Sequence, residues 1–106
     1  MTVAPAAPIM ELLYFVGCPH CLQLLPSVEQ LAAESGAALH LRRVESPEAA
    51  ERERFLGSPT VRVNGTDVDP TAPPRTDFGL TCRIYLTEAG PSPLPPERWI
   101  RAALTP

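Results

Sequence analysis

An α/β domain in the order β-α-β-α-β-β-α, with a four-stranded mixed sheet flanked by helices, is predicted by three features of the 106-residue sequence. Residues Met10–Val16 (MELLYFV) are almost wholly apolar, the mark of a strand buried on both faces. Apolar residues at helical spacing follow at once, and then a second strand-like run. Such a strand–helix–strand unit forces a parallel pair with a right-handed crossover. Two later strand-like runs, Thr60–Val63 and Leu80–Leu86, have no helix between them and are expected to be antiparallel neighbours.

Each element has its own local justification. Residues 1–8 (MTVAPAAP) are rich in Ala and Pro and are expected to form an extended or disordered tail, leaving 9–106 as a single domain. The first strand stops at Gly17. Pro19 suits the first turn of a helix, where its missing N–H costs nothing. Leu22, Leu25, Val28, Leu31 and Ala32 then recur with helical period until Ser35-Gly36. Pro26, inside that helix, removes one hydrogen bond and predicts a kink. Ala38–Val44 reads as the second strand. Ser46, Pro47 and Glu48 supply a cap, a first-turn proline and an acid at the positive end of a short helix reaching Phe55. Gly57-Ser58-Pro59 breaks it, and Asn64-Gly65 closes the third strand. Thr66–Gly79, holding Pro70, Pro73 and Pro74, is expected to be a long irregular loop. Leu80–Leu86 alternates cleanly as a fourth strand, Gly90–Pro96 reads as a loop, and Pro96–Leu104 as a last helix with Trp99, Ile100, Ala103 and Leu104 on its apolar side.

Composition narrows the function. Nine basic residues, all Arg, stand against twelve acidic ones for a net charge of -3, so no basic excess exists to neutralise phosphates and nucleic-acid binding is not expected. The absence of Lys excludes Schiff-base chemistry. No apolar run approaches the ~20 residues that cross a membrane. The N-terminus has neither a positive charge nor an apolar core segment, so no secretory signal is read there and a cytoplasmic location is expected. Three Cys are too few for a disulfide scaffold.

The chemistry lies in Cys18-Pro19-His20-Cys21. Cysteines at i and i+3 opening a helix share a face, within disulfide reach. Unpaired backbone N–H groups and the positive helix end favour a thiolate at Cys18, the form that attacks. Cys21, one turn deeper, is placed to resolve a mixed disulfide. Pro19 and His20 modulate the pair; a protonated His20 would further favour the reduced form. The competing reading is half of a metal knuckle. A structural zinc site wants four ligands, and only Cys82, His20 and His40 remain to complete one. A site for a soft ion such as Hg(II), Cu(I) or Zn built on Cys18, Cys21 and Cys82 is the alternative from another class. Cys82 shares a face with Leu80, Ile84 and Leu86 and is expected in the core, with the antiparallel return placing it ~10 Å or more from Cys18. Asp67, Asp69 and Asp77 lack a calcium-loop pattern and read as turn residues. His40 is expected to be structural or exposed. Tyr14 and Phe15 are expected in the core, and Trp99 is expected to pack the last helix on the sheet.

The sequence resembles the thioredoxin-like superfamily in its small, glutaredoxin-sized form. The strand followed by Cys18-Pro19-His20-Cys21 carries the inner dipeptide of DsbA-type disulfide oxidases. Pro26 lies five residues after Cys21, where thioredoxins also carry a proline. Ser58-Pro59-Thr60 opens the third strand like that family's cis-proline motif. Stretches 14–18 (YFVGC), 57–65 (GSPTVRVNG) and 79–85 (GLTCRIY) are also similar to small bacterial thioredoxin-like proteins, some with mercury-related labels. The resemblance implies a cis Pro59, with Ser58, Pro59 and Thr60 forming a substrate shelf whose backbone pairs with an extended substrate.

Two departures matter. The family's buried Asp in the first strand is Leu12 here, and Glu11 should point to the other side. The Trp before the first Cys is Gly17. The proton acceptor for the buried thiol is therefore missing, and efficient general protein reductase activity is not implied. The function expected is thiol–disulfide oxidoreduction on a protein or small thiol substrate, with no organic cofactor and a reducing or oxidising thiol partner. A non-catalytic thioredoxin-like adaptor is the remaining alternative.

Overall fold

A computed structural model describes residues 7–105. The elements are β1 (Ile9–Tyr14), α1 (Pro19–Ser35), β2 (Ala38–Arg43), α2 (Pro47–Arg52), β3 (Thr60–Val63), β4 (Thr66–Asp67), β5 (Tyr85–Thr87), β6 (Gly90–Ser92) and α3 (Glu97–Leu104). The expectation for the N-terminal tail falls mostly on residues outside the described range. Pro8, within it, is tied down, because its carbonyl accepts from the Ala38 N–H.

The main sheet has four strands in the order β2-β1-β3-β4 and is mixed, as expected. β1 pairs parallel with β2 and antiparallel with β3. The period of two along β1 builds both sides of the molecule. Met10 and Leu12 face a cluster with Leu24, Val28 and Leu31 of α1, Val61 and Val63 of β3, and Ile100 of α3. Leu13 faces the other way, into a smaller cluster with Val44, Ala50 and Phe55 on the α2 side. Helices therefore cover both faces. Among the described residues, no helix is long and apolar enough to cross a membrane.

The helix ends follow their local chemistry. Gly36 adopts the left-handed conformation past the end of α1, and its N–H bonds to Ala32 O. Ser46 caps α2, its side chain accepting from the Ala49 N–H. Pro26 lies within α1 as expected.

The fourth strand of the sheet is not Leu80–Leu86. Its place is taken by Thr66–Asp67, turned back from β3 by Asn64-Gly65. Both turn residues have positive φ, as a tight two-residue hairpin of this kind requires. Of the predicted strand only Tyr85 and Leu86 are regular. With Thr87 they form β5, which pairs with β6 in a separate hairpin where a loop was expected. The alternation in this segment is real, but its faces are reversed. Arg83 and Tyr85 are buried, while Ile84 and Leu86 are 54% and 73% exposed.

The reversal has a polar cause. Arg83 donates to Thr60 Oγ1 at 2.9 Å and to Asp67 at 2.7 Å, and it lies 3.3 Å from Asp69. Its guanidinium also covers the Tyr85 ring, 4.4 Å from the centroid. The Tyr85 hydroxyl donates to Pro59 O. These five directional contacts offset the cost of taking Arg83 and Tyr85 out of water, which allows this face to turn inward and leaves Ile84 and Leu86 outside.

Candidate functional site

The site is built at the junction of β1, α1 and β3. Gly17 turns the chain at φ +99°, a conformation that side chains rarely adopt. That requirement accounts for a glycine immediately before the first cysteine. Cys18 is the N-cap of α1, in extended backbone geometry, with Pro19 at the first helical position. The first turn contains no acidic side chain, so nothing there opposes negative charge at the helix end.

Cys18 and Cys21 lie within one helical turn and are only 6% and 8% exposed. The Cys18 thiol donates to Ser58 O at 3.6 Å. Cys21 belongs to the main apolar cluster, alongside Leu12. Burial pushes the Cys21 thiol up from its ordinary range, and negative charge on Cys18 pushes it the same way. Among the described residues the one buried carboxylate is Asp69, and it pairs with Arg83. Glu11 projects to the opposite face, where it pairs with Arg42 at 2.8 Å. His20 is partly exposed and its Nδ1 lies 3.2 Å from Gln23 Oε1. His40 is exposed on β2.

Of Ser58, Pro59 and Thr60, Ser58 touches Cys18 through its carbonyl, and the Ser58–Pro59 peptide is cis. Their surroundings differ from the expected open shelf. All three are buried. The Ser58 N–H donates to Thr81 O at 2.8 Å, and Ser58 O accepts from the Arg83 N–H at 3.0 Å. Both backbone groups of Ser58 are therefore already paired within the chain. Thr60 Oγ1 donates to Gly57 O at 2.6 Å and accepts from Arg83.

Cys82 is the residue whose placement differs most from expectation. It is exposed rather than in the core. It forms a parallel bridge opposite Ser58, the residue whose carbonyl holds the Cys18 thiol. The thiol of Cys82 is raised by desolvation and then by the charge on Cys18. The expected antiparallel return from the far end of β3 is not made by this segment, because β4 occupies that place. The chain instead doubles back after β4 and crosses beside Ser58.

Arg83, Asp67 and Asp69 were not singled out as a unit by sequence reading. The signal available was an Arg at the centre of an alternating apolar run, with two aspartates upstream. Among the described residues, no group of three His, Cys, Asp or Glu side chains is placed to hold a metal ion. A cleft bounded by Arg54, Arg62, Arg75 and Phe78 lies elsewhere and contains no thiol. No protein-family model matches the chain, and no curated protein matches it significantly in sequence.

Proposed function

We propose that the chain is a thiol–disulfide oxidoreductase working through a Cys18–Cys21 couple on a thioredoxin-like fold. The observation that carries this reading is the seating of both cysteines in one turn, Cys18 capping α1 and Cys21 buried behind it. The reading of the fold draws support from β1 leading directly into α1, from Pro26 inside that helix and from Pro59 ahead of β3.

The chemistry follows from the difference between the two thiols. The Cys18 thiolate attacks one sulfur of a disulfide substrate; a mixed disulfide forms and the other substrate sulfur leaves as a thiolate. Cys21 then loses its proton and attacks Cys18 Sγ. The second substrate sulfur departs and the Cys18–Cys21 bond closes. Two electrons pass to the substrate, and the reverse sequence oxidises a dithiol. Charge on Cys18 helps to keep Cys21 protonated, so forming the mixed disulfide removes one of the two causes of its raised pKa. Cys21 thus becomes a better nucleophile when it is needed. With Leu12 beside it and Glu11 on the other face, its proton leaves to solvent or substrate. A thiol or disulfide partner completes the cycle, and a cytoplasmic setting fits this reading.

Titration in glutathione buffers, followed by acid trapping and mass mapping of the thiols, tests the proposal. One reversible two-electron Cys18–Cys21 couple is expected. Absence of that disulfide at every poise, together with a higher Tm when a thiophilic ion is added to the reduced chain, would move the reading to soft-metal binding.

A further inference from the structure

Ser58 is approached from two sides. On one side its carbonyl holds the Cys18 thiol at 3.6 Å. On the other, Thr81–Arg83 runs parallel to it and takes both of its backbone hydrogen bonds, with Cys82 directly opposite. The close approach depends on Gly57. Its φ is +122°, and a Cβ there would lie 2.9 Å from Thr81 O and 3.0 Å from Arg83 Cβ. Arg83 is locked inward by Asp67, Asp69 and Thr60. In an extended segment its neighbour Cys82 must then face the other way, and it is exposed.

We propose that Cys82 is a second exchange partner for the Cys18 sulfur, held on the Ser58 backbone edge by Thr81–Arg83, so that the disulfide passes from Cys18–Cys21 to Cys18–Cys82. This rests on the oxidoreductase reading above. The Cys82 thiolate attacks Cys18 Sγ of the Cys18–Cys21 disulfide. The Cys18–Cys82 bond forms, the Cys18–Cys21 bond breaks, and the electron pair leaves on Cys21 Sγ, which takes up a proton equivalent to the one Cys82 lost. No net oxidation occurs, so the step needs no further oxidant. It transfers the bond from a sulfur that is 8% exposed to one at the surface. There an external thiol can attack Cys82 and carry the oxidising equivalents away.

The full-length chain tests this directly. It is incubated with oxidised and reduced glutathione, acid-quenched, alkylated and cleaved with trypsin. Because the chain has no Lys, cleavage after Arg42, Arg75 and Arg83 leaves Cys18 and Cys21 on one peptide and Cys82 on another. A Cys18–Cys21 loop and a Cys18–Cys82 cross-link are therefore distinct species. Both are expected in the wild-type chain. In Cys21→Ser the cross-link should exceed glutathionylated Cys18 by about tenfold or more, because an adjoining thiol outcompetes one in solution. A wild-type loop with no cross-link in either protein would overturn the proposal and leave the Cys18–Cys21 couple intact. A wild-type chain without the loop would overturn the oxidoreductase reading itself, and this step with it.

Discussion

Two regions hold the molecule together by different physics. On the α1 side, Met10, Leu12, Val28, Leu31, Val61 and Ile100 pack together in one apolar cluster. Beside the thiols, Arg83, Asp67, Asp69, Thr60 and Tyr85 form a buried polar lock. Apolar packing is non-directional and tolerates exchange of similar volumes. A hydrogen-bonded lock is directional, and losing one member leaves the others desolvated and unpaired. The apolar region sets which elements come together. The polar region sets where Thr81–Arg83 lies, and with it the position of Cys82.

The largest expected effect breaks the polar lock. Arg83→Ala should cost about 3–5 kcal/mol, because Asp67 and Asp69 lose their common buried partner. Leu12→Ala, the apolar counterpart, should cost about 2–5 kcal/mol through transfer and cavity terms. The distinction sharpens with the volume-preserving exchanges. Leu12→Met should be nearly silent, whereas Arg83→Met should remain destabilising while both aspartates are present and recover in a triple variant with Asp67→Asn and Asp69→Asn. Urea midpoints measure all of these. An Arg83→Ala loss no larger than that of a surface substitution would remove the distinction between the two regions.

The same division separates what was legible in the sequence from what was not. Residues 9–63 are organised by apolar period. The run at 10–16, the helical spacing after Pro19 and the cap at Ser46 each correspond to an observed element. The Cys18–Cys21 turn was equally readable, since Pro19 and the helix start place both thiols. Beyond residue 63 the apolar pattern misled. Ile84 and Leu86 looked like the inward face because Arg83 is an unusual core residue. Its burial depends on Asp67 and Asp69, fourteen or more positions away. Pairing of that kind has no period, so Cys82 was assigned to the wrong face. The Asn64-Gly65 hairpin was, by contrast, available as a local signal. Reading it as a strand end rather than a turn-back hid β4 and the path of the loop.

Gly57→Ala is the next smaller perturbation, and it acts where the two regions meet. The substitution forces a side chain onto φ +122° and against Thr81 O. A cost of about 1–3 kcal/mol is expected from the backbone conformation. Its effect on the thiols is the more informative readout. Displacing Thr81–Arg83 from Ser58 should lower the yield of the Cys18–Cys82 cross-link while leaving the Cys18–Cys21 loop unchanged, because α1 alone positions the latter pair. Equal loss of both disulfides would show that the segment supports the α1 end as a whole rather than Cys82 in particular.

The smallest effect concerns the proton on Tyr85. Its hydroxyl donates to Pro59 O, and burial pushes its pKa up, with the Arg83 charge acting in the opposite direction. The folded chain therefore holds this proton more tightly than the unfolded chain does. As pH rises past the ordinary phenol value of about 10, the unfolded state loses the proton first. The native state then binds more protons, and stability falls with pH by up to about 1.4 kcal/mol per unit for this one group. Cys21, also raised by burial, acts with the same sign from about pH 8.5 upward. Tyr85→Phe separates the two. It should cost about 1 kcal/mol near neutrality for the lost hydrogen bond, yet flatten the decline above about pH 10, leaving only the part due to Cys21 and the rest of the chain. Urea midpoints across that range decide the matter. Parallel curves for the two proteins would mean that the Tyr85 proton is not held by the fold, and that the polar lock ends at Arg83.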